Sequence, residues 1–373
     1  MSLPFAHRFR VPLRTLALLS ACAIAALLTT PAWLRASALL PSTAPEPFAE
    51  IDTGHEAYAV TDLEWIDSRR DRRVPAKLFW PAAAAGRPVP LVIFSHGIGS
   101  SRDGYTYLGR YWAGHGIASL HVQHVGSDRA LWEGSVASLV ARFRQATDET
   151  EAIARVEDLR YALDRLLESE RGAQVARDRI AAAGHSYGAT TTLLAAGAAV
   201  HRDGRLLQFR DPRIGAAILI SSPPFYGETD FVPILSGIHI PTLHITTAED
   251  VIRLPGFGSG PEDRLKVFDA TGSRFKTLAV YRHGSHNVFT DRRYFDSRQV
   301  AAEVKAATQS LSLAFLEQAY GTDGADLEAW GRAHRTLFAQ YIAGSHGEPT
   351  GTIGADRTTA ARFSGHPHAW SFR

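Results

Sequence analysis

Cysteine is almost missing from this chain. Cys22 is the only one among 373 residues. No intramolecular disulfide can form, and no thiolate cluster can hold zinc. Lysine is scarce too: Lys77, Lys266, Lys276 and Lys305 stand against 36 arginines. Net charge is small, because 40 basic and 38 acidic residues leave +2. A nucleic-acid binder clusters its basic residues to neutralise phosphates, and nothing here suggests such a stripe. The rest is ordinary for a globular protein, with 45% hydrophobic and 21% charged residues. That excludes disordered, collagen-like and coiled-coil chains. The length suits one large domain or two ordinary ones.

The N-terminus reads as an address. His7, Arg8, Arg10 and Arg14 make a basic start, and Leu16–Leu28 is apolar without a charge. Ala36-Ser37-Ala38 fits the small-x-small cleavage rule, with Ala32 as a second candidate. The layout predicts a signal peptide over residues 1–38 and a proline-rich linker over 39–56. The apolar run is shorter than the roughly 20 residues of a membrane span. An uncleaved anchor, or a lipoprotein modified at Cys22 in Leu19-Ser20-Ala21-Cys22, are the alternatives. All three put the folded part outside the cytoplasm: periplasmic, secreted, or membrane-anchored facing outward.

Beyond the linker, strands and helices alternate. Ala57–Ile66 and Val74–Trp80 read as a hairpin, and Leu91–Ser95 as a buried central strand. Further strands are expected at Ile117–Val122, Ile180–Ala183, Ala216–Ser221, Thr242–Thr246 and Thr277–Tyr281. Helices are expected at Tyr105–His115, Thr147–Glu168, Ser186–Ala199 and Arg298–Tyr320. Ile153, Val156, Leu159, Leu163 and Leu166 give the second of these one apolar face. The pattern predicts a mostly parallel α/β sheet with an antiparallel start, over residues 57–320. An appended helix is expected over 321–341 and a flexible tail over 342–373.

Gly184-His185-Ser186-Tyr187-Gly188 carries the chemistry. A serine on a tight strand-to-helix turn needs neighbours without bulk two positions away on either side. Chance gives such a pattern roughly 0.2 times in a chain of this composition, but this one lies between an apolar strand and a good helix. Ser95-His96-Gly97-Ile98-Gly99 follows the central strand, where one N–H of an oxyanion hole is expected from Ile98 and the other from Tyr187. A serine nucleophile needs a base and an orienting acid. Asp250 is favoured as the acid, with Glu249 and Asp230 as competitors. His286 is favoured over His283 as the base, because it sits further out after a glycine. His96 and His185 flank tight turns and read as structural. His121, His124, His366 and His368 lack metal-ligand spacing, so neither metal nor cofactor is expected.

Leu91–Ser100, Gly184–Ala189 and the Asp250 and His286 loops together resemble the α/β-hydrolase superfamily. Trp112–Ile117 and His124–Asp128 are similar to the platelet-activating-factor acetylhydrolase and predicted dienelactone hydrolase group. The resemblance implies the α/β-hydrolase fold, helices on both faces of the sheet, and a Ser186–His286–Asp250 triad. Dienelactone hydrolases carry cysteine at the elbow, whereas Ser186 stands here, so that activity is not expected. The implied function is an exported serine ester hydrolase acting on small-molecule or lipid esters with short acyl groups. No nucleic acid partner is expected, and no membrane contact beyond the N-terminal segment. An acyltransferase with the same triad and a non-catalytic binding protein are the other readings. Trp132 and Phe225 are candidate substrate-binding residues. Trp132, Val136, Leu139, Val140 and Phe143 form one apolar face in Ala130–Gln145, a helix that either roofs the site or packs on the flank of the sheet.

Overall fold

A computed structural model describes residues 57–344, except 83–85, 203, 254–256, 293–294 and 322–325, together with 353–354. The expected signal segment, Cys22, the linker through residue 56, and all of the tail beyond 344 except 353–354 lie outside the described residues.

The strands are β1 (Tyr58–Asp67), β2 (Arg72–Pro81), β3 (Val89–Ser95), β4 (Ala118–Val122), β5 (Val175–His185), β6 (Ala199–Arg202), β7 (Arg205–Gln208), β8 (Ala216–Ile220), β9 (Thr242–Thr247), β10 (Lys276–Tyr281), β11 (Phe338–Ile342) and β12 (Ile353–Gly354). The helices are α1 (Thr106–Gly114), α2 (Val136–Thr147), α3 (Glu149–Leu167), α4 (Tyr187–Ala196), α5 (Val232–Leu235), α6 (Pro261–Ala270), α7 (Arg298–Ala319) and α8 (Leu327–Ala333). Ten strands form one sheet in the order β1-β2-β4-β3-β5-β8-β9-β10-β11-β12, and β6 and β7 form a separate hairpin. The six from β4 to β10 run parallel, while the strands at both edges run antiparallel.

Apolar runs on both sides of each central strand demand cover on both faces. Leu91 and Ile93 of β3 join one core with Val156, Leu159 and Leu163 of α3. Val92 and Phe94 join the other with Leu311 and Phe315 of α7. Alternate residues of one strand point to opposite faces, so α3 and α7 lie on opposite sides of the sheet. This is the α/β-hydrolase fold. β4 and β5 flank β3 on either side. The loops after β3 and β5 therefore part in opposite directions at the carboxyl edge, the position where open α/β sheets leave a crevice. Register aligns that edge: Ser95 faces Gly184, His185 faces Ile220, and Ile220 faces Ile245.

Three expectations change. Helix α4 stops at Ala196 because Gly197, at φ 127°, turns the chain out of the helix, and Ala199 begins β6 instead. The segment 321–341 holds the seven-residue helix α8 and most of β11, which pairs antiparallel with β10. The segment Ala130–Gln145 is not one helix. Arg129–Trp132 is a 3-10 turn, and Ser135 caps a new helix by accepting from Ser138 N–H.

Candidate active site

Ser186 sits between β5 and α4 at φ 54° and ψ −122°, a backbone region that L-residues rarely adopt. The two flanking glycines are forced. A Cβ on Gly184 would lie 2.2 Å from the Gly188 carbonyl oxygen, and one on Gly188 would lie 1.9 Å from the Ser95 carbonyl oxygen. Ser186 N–H donates to Ile220 O at 2.9 Å, which pins the turn to the neighbouring strand end.

His286 arrives on the loop after β10. Its Nε2 lies 2.9 Å from Ser186 Oγ, and its Nδ1 lies 2.7 Å from Asp250 Oδ1. Asp250 follows β9 and is fully buried. Burial alone would raise its pKa. The nearby His286, then Arg264 and Thr246, outweigh that and hold the carboxyl well below the usual carboxylate range. Arg264 of α6, itself buried, donates from Nη2 to Asp250 Oδ1 at 3.1 Å and from Nε to Oδ2 at 3.3 Å. Thr246 Oγ1 donates to the same Oδ2 at 2.6 Å. The competing acid, Glu249, is exposed and takes a different role. It accepts from Gly284 N–H and pairs with His283, both at 3.1 Å. Asp230 accepts from Val232 N–H at the start of α5.

The N–H groups of Ile98 and Tyr187 have no hydrogen-bond partner among the described residues, while their neighbours are tied down. Gly99 N–H donates to Ser127 O at 2.8 Å. Gly97 N–H donates to Tyr105 Oη at 3.2 Å. His185 continues this line. Its Nε2 donates to His286 O at 3.0 Å, so its Nδ1 accepts from Tyr105 O–H at 2.8 Å. Burial, helped by the nearby His286, pushes the His185 pKa down to about 3, so the ring is neutral. His96 is buried as well, and burial followed by the nearby Arg155 holds it well below its ordinary value. It donates from Nδ1 to Gly97 O and accepts the His124 N–H.

A cavity of about 280 Å³ opens beside Ser186, Ile98 and Tyr187. That is close to the lower end of ligand clefts, about 300 Å³. Thr190 and Leu194 continue along one side from Tyr187, leading to Val200 and Leu207 of the β6–β7 hairpin. Phe143 of α2 and Ile153 of α3 line it too, as do Pro223, Phe225, Tyr226 and Phe257. Phe257 meets Phe143 and Tyr226 edge-on, with ring centroids 5.6 Å and 5.1 Å away. Arg202 and Glu149, paired at 3.1 Å, are the charged members of the wall with Asp148.

The structure therefore joins Ser186, His286 and Asp250 in one hydrogen-bonded line and places Ser186, Ile98, Tyr187 and Phe225 on the cavity wall. It leaves Trp132 outside. That side chain is 53% exposed and lies over the Ile98 loop, donating from Nε1 to Gly99 O at 2.8 Å. Phe143, eleven positions on, supplies the aromatic wall instead. Sequence reading missed Arg264, Tyr226 and Phe257. Pro261 with Glu262 and Asp263 marks a helix start that would have placed Arg264 one turn in. No signal announced its burial. Among the described residues, no group of three or more His, Cys, Asp or Glu is arranged to hold a metal, and no helix is long and apolar enough to cross a membrane.

Residues 71–133 match the family described as platelet-activating factor acetylhydrolase, isoform II. No curated protein matches the chain significantly. Among solved structures, a ferulic acid esterase from Streptomyces cinnamoneus is similar at 22% identity and TM-score 0.50, over 74% of this chain and 92% of that one. An acylaminoacyl peptidase from Pyrococcus horikoshii is similar at 16% identity and TM-score 0.52, over 74% of this chain and 44% of that one. Fold and family match converge: the chain has the α/β-hydrolase fold, and its residues 71–133 are similar to the platelet-activating factor acetylhydrolase family.

Proposed function

We propose that the protein hydrolyses carboxylic esters through an acyl-enzyme on Ser186. The observation that carries this reading is the unbroken line from Ser186 Oγ through His286 to Asp250 at the edge of an apolar cavity. Asp250 accepts the Nδ1 proton of His286 and so leaves Nε2 free to accept. His286 takes the Ser186 proton as Oγ adds to the ester carbonyl carbon. The Ile98 and Tyr187 N–H groups receive the developing oxyanion, where one such donor contributes about 10²–10³ in kcat. His286 then returns the proton to the leaving alcohol. Water repeats the sequence on the acyl-enzyme and releases the acid.

The matched family is named for removing acetyl groups, which supports a short acyl portion. The cavity supports a long apolar one, because it follows α4 from Tyr187 to Leu194, about 10 Å at 1.5 Å per residue. Both hold if the acyl group is short and the alcohol portion lies in the cavity. With Trp132 outside the wall, the limit on acyl length falls to the oxyanion side of Ser186. The N-terminal pattern supports an exported enzyme meeting such esters outside the cytoplasm; blocked processing or cytoplasmic retention of the full chain would remove that part of the reading.

Two ester series test the assignment. Acetates of alcohols from ethyl to decyl should show kcat/KM rising with chain length, by up to about 0.8 kcal/mol per buried methylene. Esters of one alcohol should fall beyond butanoate. The opposite pair of trends would put the acyl chain in the cavity. Failure of a fluorophosphonate to label Ser186 would remove the nucleophile itself.

A further inference from the structure

Arg155 is a fully buried arginine in α3, on the face that carries the apolar core residues Val156 and Leu159 at neighbouring positions. Burying a guanidinium is costly unless its donors are satisfied. Its donors converge on the loops around Ser186. Nη2 donates to His96 O, two residues before Ile98. Nη1 donates to Ser127 Oγ at 2.7 Å, and the Ser127 carbonyl holds Gly99 N–H. Nε donates to Thr191 Oγ1 at 3.0 Å, and Thr191 Oγ1 in turn donates to Tyr187 O at 3.1 Å. The guanidinium carbon lies 4.4 Å from the centre of the Tyr187 ring. Glu151, one helical turn earlier, accepts from Ser127 Oγ at 2.8 Å, and Asp158 binds Arg72 and Arg70.

We infer that Arg155 is the positioning residue of the oxyanion hole, setting the distance between the Ile98 and Tyr187 N–H groups. These two donors come from the loop after β3 and from the first residue of α4, which separate at the β3–β5 switch point, and Arg155 binds both that loop, at His96, and α4, at Thr191. Three bonds in fixed planar directions hold the chain on either side of Ile98, through His96 and Ser127, and hold Tyr187 through Thr191. A lysine ammonium is a point charge on a flexible stem and cannot reproduce that fork. The inference rests on the ester hydrolase reading, since it needs an oxyanion to form between those donors.

The experiment compares Arg155→Lys with Leu163→Ala. Leu163 is buried on the same helix, remote in sequence from the cavity-lining positions. Both variants are assayed where each remains folded. A shift of about 1 Å in a catalytic contact costs about 10² in rate. Arg155→Lys should therefore lose about that in kcat with KM within about threefold. An alkyl boronic acid, whose tetrahedral adduct on Ser186 places an oxygen between the same N–H groups, should weaken in parallel. Leu163→Ala should lose melting temperature but keep kcat and boronate affinity. Unchanged kcat and boronate affinity in Arg155→Lys, or equal losses in Leu163→Ala, would overturn the assignment. Should Arg155→Lys not fold, Thr191→Val removes one of the three links and carries the test. A parallel fall of about tenfold in kcat and boronate affinity is expected there, and no change in either overturns it. Hydrolysis that survives Ser186→Ala would defeat the ester hydrolase reading. Activity that depends on Ser186 but ignores Arg155 defeats this inference alone.

Discussion

Helices α3 and α7 cover the same sheet from opposite faces, and they bury different chemistry. The inner face of α7 is Ala301, Val304, Ala307, Leu311, Phe315 and Leu316 with the hydroxyls of Thr308 and Ser312, and Lys305 is its one buried charge. The inner face of α3 divides. Its C-terminal half buries Leu159, Leu163 and Leu166, as α7 would. Its N-terminal half buries Glu151, Arg155 and Asp158. Burying charges costs more than burying leucine, and apolar replacements of such groups are often neutral or stabilising. The difference teaches where the fold gives up stability for fixed geometry. Backbone donors at the ends of strands need outside support, and the N-terminal half of α3 gives it through Arg155, whereas α7 packs on the sheet and on α1, where Ser312 accepts from Trp112 Nε1.

The comparison breaks first at Ser186. Ser186→Ala should leave a folded protein with kcat lowered about 10⁴- to 10⁶-fold, with the residual rate coming from the oxyanion hole and binding. Asp250→Asn should cost about 10⁴ in kcat, because the imidazole loses its tautomer. It should also show up in denaturant unfolding, since Arg264 keeps its buried charge without a counterion. Phe315→Ala in α7 is the converse. A loss of about 3–5 kcal/mol in unfolding free energy is expected, with kcat of the folded fraction unchanged. A fall in kcat there would give α7 a share in the site.

Acid sharpens the contrast. His96, His124 and His185 stand beneath the site, and His121 and His244 lie in the neighbouring strands; all five are buried. Burial holds His121, His185 and His244 down at about 3, and His96 and His124 well below the ordinary value. Each is neutral in the folded protein but takes up a proton in the unfolded chain below about 6.5. Stability is therefore lost as pH falls through the window from about 6.5 towards 3, by up to about 1.4 kcal/mol per pH unit for each ring. His121 has no hydrogen-bond partner among the described residues and stacks on Phe94. His121→Leu should reduce the slope of stability against pH by one proton while leaving kcat alone. An unchanged slope would mean that His121 already titrates in the folded state. The smallest effect is expected from Glu249→Gln, whose amide oxygen can still accept from Gly284. Less than about a threefold change in kcat should follow, and a large drop would show that the charge on the His283 side helps place His286.

Much of this was legible in the sequence because the central strands are short, wholly apolar and each followed by turn residues. Ser186, Asp250 and His286 could be read from chain order at strand ends, since parallel strands bring their following loops to one edge. What stayed hidden depends on contacts distant in sequence. Arg155, Asp158 and Glu151 look like the solvated charges of any amphipathic helix, and only their distant partners, Ser127, His96 and Thr191 together with Arg70, Arg72 and His124, make them interior groups. Strand β11 was masked by its neighbours in sequence, because its pairing partner β10 lies more than fifty residues upstream. Trp132 misled because spacing carried its face across Gly134 and Ser135, where the helix has not yet begun.

The backbone of Ser186 has an implication for how this protein would drift without selection on its chemistry. Among the described non-glycine residues only Asp71, Ser186 and Ser221 have positive φ. Such a residue costs about 1–3 kcal/mol, which glycine avoids. Ser186→Gly should therefore melt higher than Ser186→Ala. Lineages released from the need for a hydroxyl at this position would find glycine favoured there by folding alone. A serine kept there in a related chain is then a record of continued use, independent of any assay.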